Sequence, residues 1–237
     1  MFTTYFIQPI YNLFVFLIGV VPGGDVGLAI IALTIIMRAV LYPVFTSSIR
    51  TQMGMQAMQA DLDEVTKKLK DKPEELTKAR LELLKKHKVN PLAGIGTLAI
   101  QLVVLIALYY AMFREGFPAI EEHLLYSFVQ VPAVVNTHFL GFIDLLTPHH
   151  IVVAALVGIT QYLTIKLTLA RTNVSQTTLS PEKAAAQKMQ SAMMLYLMPG
   201  LLGVFGYFFP AAVGVYFIAG NLISLGQEWL IKHKLQK

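Results

Sequence analysis

The sequence predicts an all-α membrane protein of five transmembrane helices with a polar helical arm between the first two. Three observations predict it. Of 237 residues, 55% are hydrophobic and only 14% are charged, against roughly 25% charged in an ordinary soluble domain. Apolar runs of bilayer-spanning length recur along the chain, and the charges are segregated between them. Cysteine is absent, which excludes disulfide frameworks, Cys-type zinc sites and thiol nucleophiles.

Residues 1–24 form a separate N-terminal element. The run Phe2 to Val21 is long enough to span but carries Thr3, Thr4, Gln8, Pro9 and Asn12, with no Lys or Arg before it. It lacks the basic start of a signal peptide. An amphipathic helix lying on the outer surface is expected, with a sixth span as the alternative.

Residues 25–237 form the membrane core, with spans at 26–47, 92–113, 150–169, 189–208 and 211–231. Each is near the ~20 residues that cross a ~30 Å hydrocarbon layer, where an isolated segment satisfies its backbone only as a helix. The last two divide an uncharged stretch between Lys188 and Glu228. One helix of that length would overshoot the bilayer, and Pro210 in Phe208-Phe209-Pro210-Ala211 is the expected turn.

Charge sets the orientation. Residues 49–91 hold ten Lys and Arg, whereas 114–149 holds Arg114 against Glu115, Glu121, Glu122 and Asp144. The positive-inside rule puts the first loop in the cytoplasm and the second outside. Lys166, Arg171, Lys183 and Lys188 around the 170–188 loop agree, as do Lys232, Lys234 and Lys237. The N-terminus is then outside and the C-terminus cytoplasmic, in the plasma (inner) membrane.

Residues 50–90 read as an antiparallel helical hairpin in the cytoplasm. Met55, Met58, Leu62, Val65 and Leu69 repeat at helical spacing, as do Leu76, Ala79 and Leu83 on the second arm. Pro73 suits a first helical position, followed by Glu74 and Glu75 at the positive helix end. Either this arm is a solvated coil without a partner, or it docks clients or targeting factors.

Arg38 sits in the middle of the first span. A charge there costs about 2.5–3.5 kcal/mol on insertion scales. The one Asp or Glu inside the five spans is Glu228, three residues before the end of the last, and none falls near mid-span. The guanidinium therefore either snorkels toward the cytoplasmic interface, roughly 12 Å away over eight residues of helix, or faces a hydrated cavity. Thr34 lies one turn earlier on the same face. Gln101 and Asn221 are the other polar mid-span residues, each either an interhelical hydrogen bond or part of that cavity. A cationic, wet concavity without an acidic partner suits an anionic or polar guest that visits and leaves.

At this point the chain resembles the YidC/Oxa1/Alb3 family of membrane protein insertases. The likeness rests on Lys88-Val89-Asn90-Pro91-Leu92, Gln101 and Ala107-Leu108-Tyr109-Tyr110 around the second span. It continues in Phe139-Leu140-Gly141-Phe142-Ile143-Asp144-Leu145, then in Phe209-Pro210-Ala211-Ala212 with Tyr216 and Asn221-Leu222. Thr34 and Arg38 fall on the family's groove threonine and arginine, with Tyr42-Pro43 behind them. The resemblance implies five core helices around a hydrophilic groove open to cytoplasm and lipid and closed to the outside. It also implies client contacts on the first, second and fifth spans, here Thr34, Gln101, Leu102, Leu105, Tyr216 and Phe217.

Departures are visible: Ile95, Thr97 and Val103 replace family Cys and Pro positions, and Phe217 replaces one of two paired tyrosines. The extra first span and large outer domain of some members are not expected. The short tail from Lys232 to Lys237 argues against ribosome docking.

The expected function is a non-enzymatic insertase and chaperone that helps other proteins enter the bilayer. Its expected partners are nascent membrane proteins and lipids, with a Sec-type translocon and targeting factors at the 50–90 hairpin and the 170–188 loop. No cofactor, metal or nucleic acid is expected, and no Gly-x-x-x-x-Gly-Lys-Ser/Thr phosphate loop is present. The competing reading is a small anion transporter or channel that binds its ion at Arg38. His149 and His150 lack metal-ligand spacing and read as interfacial histidines.

Overall fold

A computed structural model describes residues 3–70, 72–87, 89–90, 92–113, 117–172 and 188–235. Those residues are mostly helical, apart from the 117–150 segment. The helices are α1 (Thr3–Val20), α2 (Val26–Val40), α3 (Tyr42–Ala57), α4 (Gln59–Lys68), α5 (Pro73–Lys86) and α6 (Leu92–Phe113). They continue with α7 (Ile151–Thr172), α8 (Lys188–Phe208) and α9 (Ala211–Leu235). Between α6 and α7 a short hairpin pairs β1 (His138–Phe139) with β2 (Ile143–Asp144).

Among the described residues, three helices are long and apolar enough to cross a membrane: Thr3–Val20, Ile151–Leu169 and Lys188–Phe208. The bent pair α2–α3 would make a fourth, and the apolar parts Ala99–Phe113 and Ala211–Gln227 are shorter.

The first of these is the segment expected to lie on the outer surface, with a sixth span as the alternative. Two of its polar residues, Gln8 and Asn12, are satisfied inside the protein. Gln8 Nε2 and Asn12 Nδ2 donate to the Leu124 carbonyl, at 3.0 and 2.8 Å. Asn12 Oδ1 accepts from the Tyr126 amide, and the Tyr11 hydroxyl accepts from the Glu121 amide. Phe14, Val15 and Ile18 are fully buried, so α1 is built into the core.

The 26–47 segment differs from expectation, because it is not one straight helix. α2 ends at Leu41 and α3 departs at 68°. Pro43 supplies the cause: it has no N–H for the Ala39 carbonyl, and its ring clashes with that carbonyl in a continuous helix. The turn at Phe209-Pro210 separates α8 from α9 as the sequence suggests.

The core gathers Phe14 and Ile18 of α1, Ala29, Ile30 and Leu33 of α2, Val104 and Leu108 of α6, Leu145, and Ala212 and Val215 of α9. α7 and α8 meet through small residues: a Cβ on Gly203 would stand 3.4 Å from the Ala154 carbonyl oxygen. Such residues let helix backbones approach closely where lipid offers no hydrophobic drive.

α4 and α5 pack through Met58, Leu83 and Val89, with Leu62, Val65 and Leu84 around them. Lys86 and His87, at the end of α5, both reach Asp61 at 3.1 Å near the start of α4. Met55, expected in this seam, is 45% exposed.

One strap ties several helix ends together. The Val26 amide donates to the Asn136 carbonyl, Ala212 to Leu145, Ala211 to Thr147, and His149 to Tyr207. Segment 136–149 thereby joins the starts of α2 and α9 to the end of α8.

Candidate functional site

Arg38 occupies the last turn of α2, where the carbonyl end of the helix carries partial negative charge. The bend at Leu41 then folds α3 back so that Phe45 comes under the guanidinium, with Cζ 4.2 Å from the ring centroid. On the other side stands α9. A Cβ on Gly220 would lie 3.5 Å from Arg38 Nη2, so the glycine leaves room for the guanidinium against the helix. Among the described residues, no carboxylate forms an ion pair with Arg38; the described Lys and Arg pairs are Lys68–Glu64, Lys72–Glu75 and Lys86–Asp61.

The site is a small cavity walled by Thr34, Arg38 and Phe45, by Gln101 and Val104 of α6, and by Tyr216 of α9. Its free volume is about 10 Å³, close to the space of a single water molecule. Polar groups surround it unevenly. Gln101 is half-buried and hydrogen-bonded with the Tyr216 side chain, which is itself 4% exposed. Thr34 is buried, and its hydroxyl donates to the Ile30 carbonyl at 2.7 Å. That bond spends its donor on its own helix.

Four of the sequence-derived site residues therefore meet here: Arg38, Thr34, Gln101 and Tyr216. Leu105 and Phe217 are partly buried against the core, whereas Leu102 is exposed on α6. Asn221 points elsewhere. Its Nδ2 donates to Thr160 Oγ1 of α7 at 3.1 Å, which is the interhelical hydrogen bond that was the alternative for that residue.

Phe45 and Gly220 were missed by sequence reasoning. Pro43 was the available signal for Phe45, because a break there brings the following turn back over the preceding one. Nothing local marks Gly220, whose partner lies on a helix far away in sequence. Of the proposed partner segments, 173–187 lies outside the described residues, as do Lys88 and Pro91 of the resemblance, and the side chains of Ile95 and Thr97.

No group of three or more His, Asp or Glu among the described residues could hold a metal ion. Chemically, the site offers one fixed positive charge, a phenol and an amide in an apolar wall. Such a set can hold a polar or anionic group by hydrogen bonds and charge. It presents no nucleophile–base pair.

A family model described as 60Kd inner membrane protein matches residues 17–237. The chain is 33% identical over 232 residues to a membrane protein insertase YidC of Oceanobacillus iheyensis, covering 96% of this chain and 82% of that one. It is 32% identical over 232 residues to the membrane protein insertase MisCA of Bacillus subtilis, covering 96% and 78%. A YidC of Neisseria gonorrhoeae is 30% identical over 217 residues, 90% of this chain but 34% of that longer one.

Proposed function

The chain belongs to the 60Kd inner membrane protein (YidC/Oxa1) family, and from that premise we propose that it inserts proteins into the cell membrane through the site at Arg38. The observation that carries the mechanism is a guanidinium held on the Phe45 ring with no carboxylate partner among the described residues. A neutralised arginine would have nothing to offer a client. This one retains its charge for a guest.

Insertion requires a client's polar flank to cross hydrocarbon, where each unsatisfied polar group costs several kcal/mol. A hydrated, positively charged groove that is open to cytoplasm and lipid shortens that path. Arg38 offsets part of the cost of an acidic flank, while Gln101 and Tyr216 exchange hydrogen bonds with the passing backbone. Leu102, Leu105 and Phe217 offer apolar surface to the client's own spanning segment, which then partitions into lipid. The membrane potential assists by about 2.3 kcal/mol per elementary charge per 100 mV, pulling acidic flanks outward.

In this reading five core helices, α2–α3, α6, α7, α8 and α9, span the membrane. The α4–α5 arm is cytoplasmic, the N-terminus is outside, and clients, targeting factors or a Sec-type translocon dock on the arm and the 170–188 loop. The basic character of residues 49–91 supports that orientation.

The test is insertion by proteoliposomes that contain the purified chain. Arg38→Ala is expected to slow clients with acidic translocated flanks and to spare clients with neutral ones. Equal rates for both classes would remove the electrostatic role. Labelling adds a check on hydration: a cysteine at Gln101 is expected to react with a water-soluble thiol reagent, and complete protection would show the site to be dry.

A further inference from the structure

The β1–β2 hairpin is rooted in the core but ends in an apolar tip that the protein leaves bare. Its root is tight. Phe139 packs so closely on α2 that a Cβ on Gly27 would lie 2.2 Å from the ring, and Leu145 is fully buried. Its depth is fixed by one carboxylate. Asp25 Oδ1 accepts from the Gly27 and Leu28 amides at the start of α2, while Oδ2 accepts from the Leu140 amide at 2.8 Å. The tip is thereby held level with the first residue of α2. For a helix that enters a bilayer, that level is the boundary between headgroups and acyl chains.

At Leu140 the side chain is one that its backbone disfavours. Leu140 and Gly141 have φ of 54° and 83°, a region where Gly and Asn are the usual occupants and other residues cost roughly 1–2 kcal/mol. Yet Leu140 is 57% exposed and Phe142 71% exposed, so these side chains recover little by packing on the protein. Val134, whose carbonyl closes on Gly24 beside the same helix start, is 60% exposed as well.

We propose that Leu140 and Phe142 are seated in lipid, at the interfacial layer on the face of the bilayer where α2 and α9 begin. The helices expose apolar side chains of their own, at Ile35, Leu102 and Leu156. Residues 117–149 contain Glu121, Glu122 and Asp144 and no Lys or Arg. Attraction to anionic headgroups is thus absent, and burial of apolar surface supplies the affinity. The proposal rests on residence in a bilayer and not on insertase activity.

The chain has no cysteine, so all 237 residues can be kept and labelled singly at Phe142→Cys and, separately, at Leu140→Cys with a nitrobenzoxadiazole fluorophore. The probes are read in phosphatidylcholine bilayers that contain lipids brominated either near the headgroup or near the chain end. Blue-shifted emission, quenched several-fold more by shallow than by deep bromine, is expected at both positions. Replacing half the lipid by phosphatidylglycerol should leave it unchanged.

Water-like emission would overturn the proposal. So would blue-shifted emission that no brominated lipid quenches, because a protein surface such as a second copy would then cover the tip. Leu156→Cys on α7 reports membrane residence separately. If that probe is quenched and the tip is not, the seating alone fails; if neither is quenched, residence and seating fail together. Either tip label decides the matter should the other variant not fold.

Discussion

Replacing Arg38 by Leu should make the protein more stable and less active at once. A charge at mid-span costs about 2.5–3.5 kcal/mol on insertion scales. Stacking on Phe45, at 4.2 Å, returns about 0.5–2 kcal/mol. The carbonyl end of α2 returns about 0.3–1 kcal/mol more. The remainder is a net cost on the order of 1 kcal/mol, which leucine removes while keeping apolar contact with Phe45 and Val104. The assay is unfolding of wild type and Arg38→Leu in mixed micelles of rising denaturing-detergent content, beside an insertion assay with an acidic-flank client. The expected pair of results is a midpoint shifted toward higher stability and insertion reduced at least tenfold. A variant less stable by 2 kcal/mol or more would refute the reasoning, since it would mean that the guanidinium has satisfying partners whose loss is felt. Arg38→Lys should keep insertion near the wild-type rate if charge is what counts.

Asn221→Ala should destabilise the α7–α9 contact by about 0.6–1.7 kcal/mol, and the Thr160→Ala double-mutant cycle should recover most of that as coupling energy. Gly27→Ala should displace Phe139 from its seat on α2 at a cost of about 1–3 kcal/mol, seen as a lower thermal midpoint; an unchanged midpoint would contradict the packing. The hydrogen bond from His87, followed by those from Lys86, holds the Asp61 carboxyl below its ordinary range. Its contribution to α4–α5 pairing is therefore full above about pH 3.9 and is lost as pH falls through the depressed value. Hydrogen exchange in α5 should rise over that acid window in wild type and show no such step in Asp61→Asn.

Much of this fold is written in quantities that sum along the chain. The bounds of α6 coincide with the expected 92–113, and the α8–α9 turn follows from an uncharged run too long for one span with a proline inside it. Arg38 stood out for the same reason, as a single charge in an apolar run. What stayed hidden depends on partners distant in sequence. Gln8 and Asn12 look like surface residues until the Leu124 carbonyl, more than 110 positions away, is brought to them. Hydropathy counts apolar residues without regard to direction, so the 68° bend left no trace in it, although Pro43 did. Asn221 and Gln101 were equivalent as mid-span polar residues, and only helix rotation sends one to Thr160 and the other to Tyr216.

The strap 136–149 also dictates how such a molecule can move. With the first residues of α2 and α9 sewn to one segment by backbone hydrogen bonds, those ends act as a pivot. Relative tilting of the two helices displaces their far ends most. Arg38 lies about 18 Å of helical rise from the start of α2, well out along the lever, with Gly220 across from it. A scissor motion would widen the pocket from its far side without breaking a hydrogen bond of the strap.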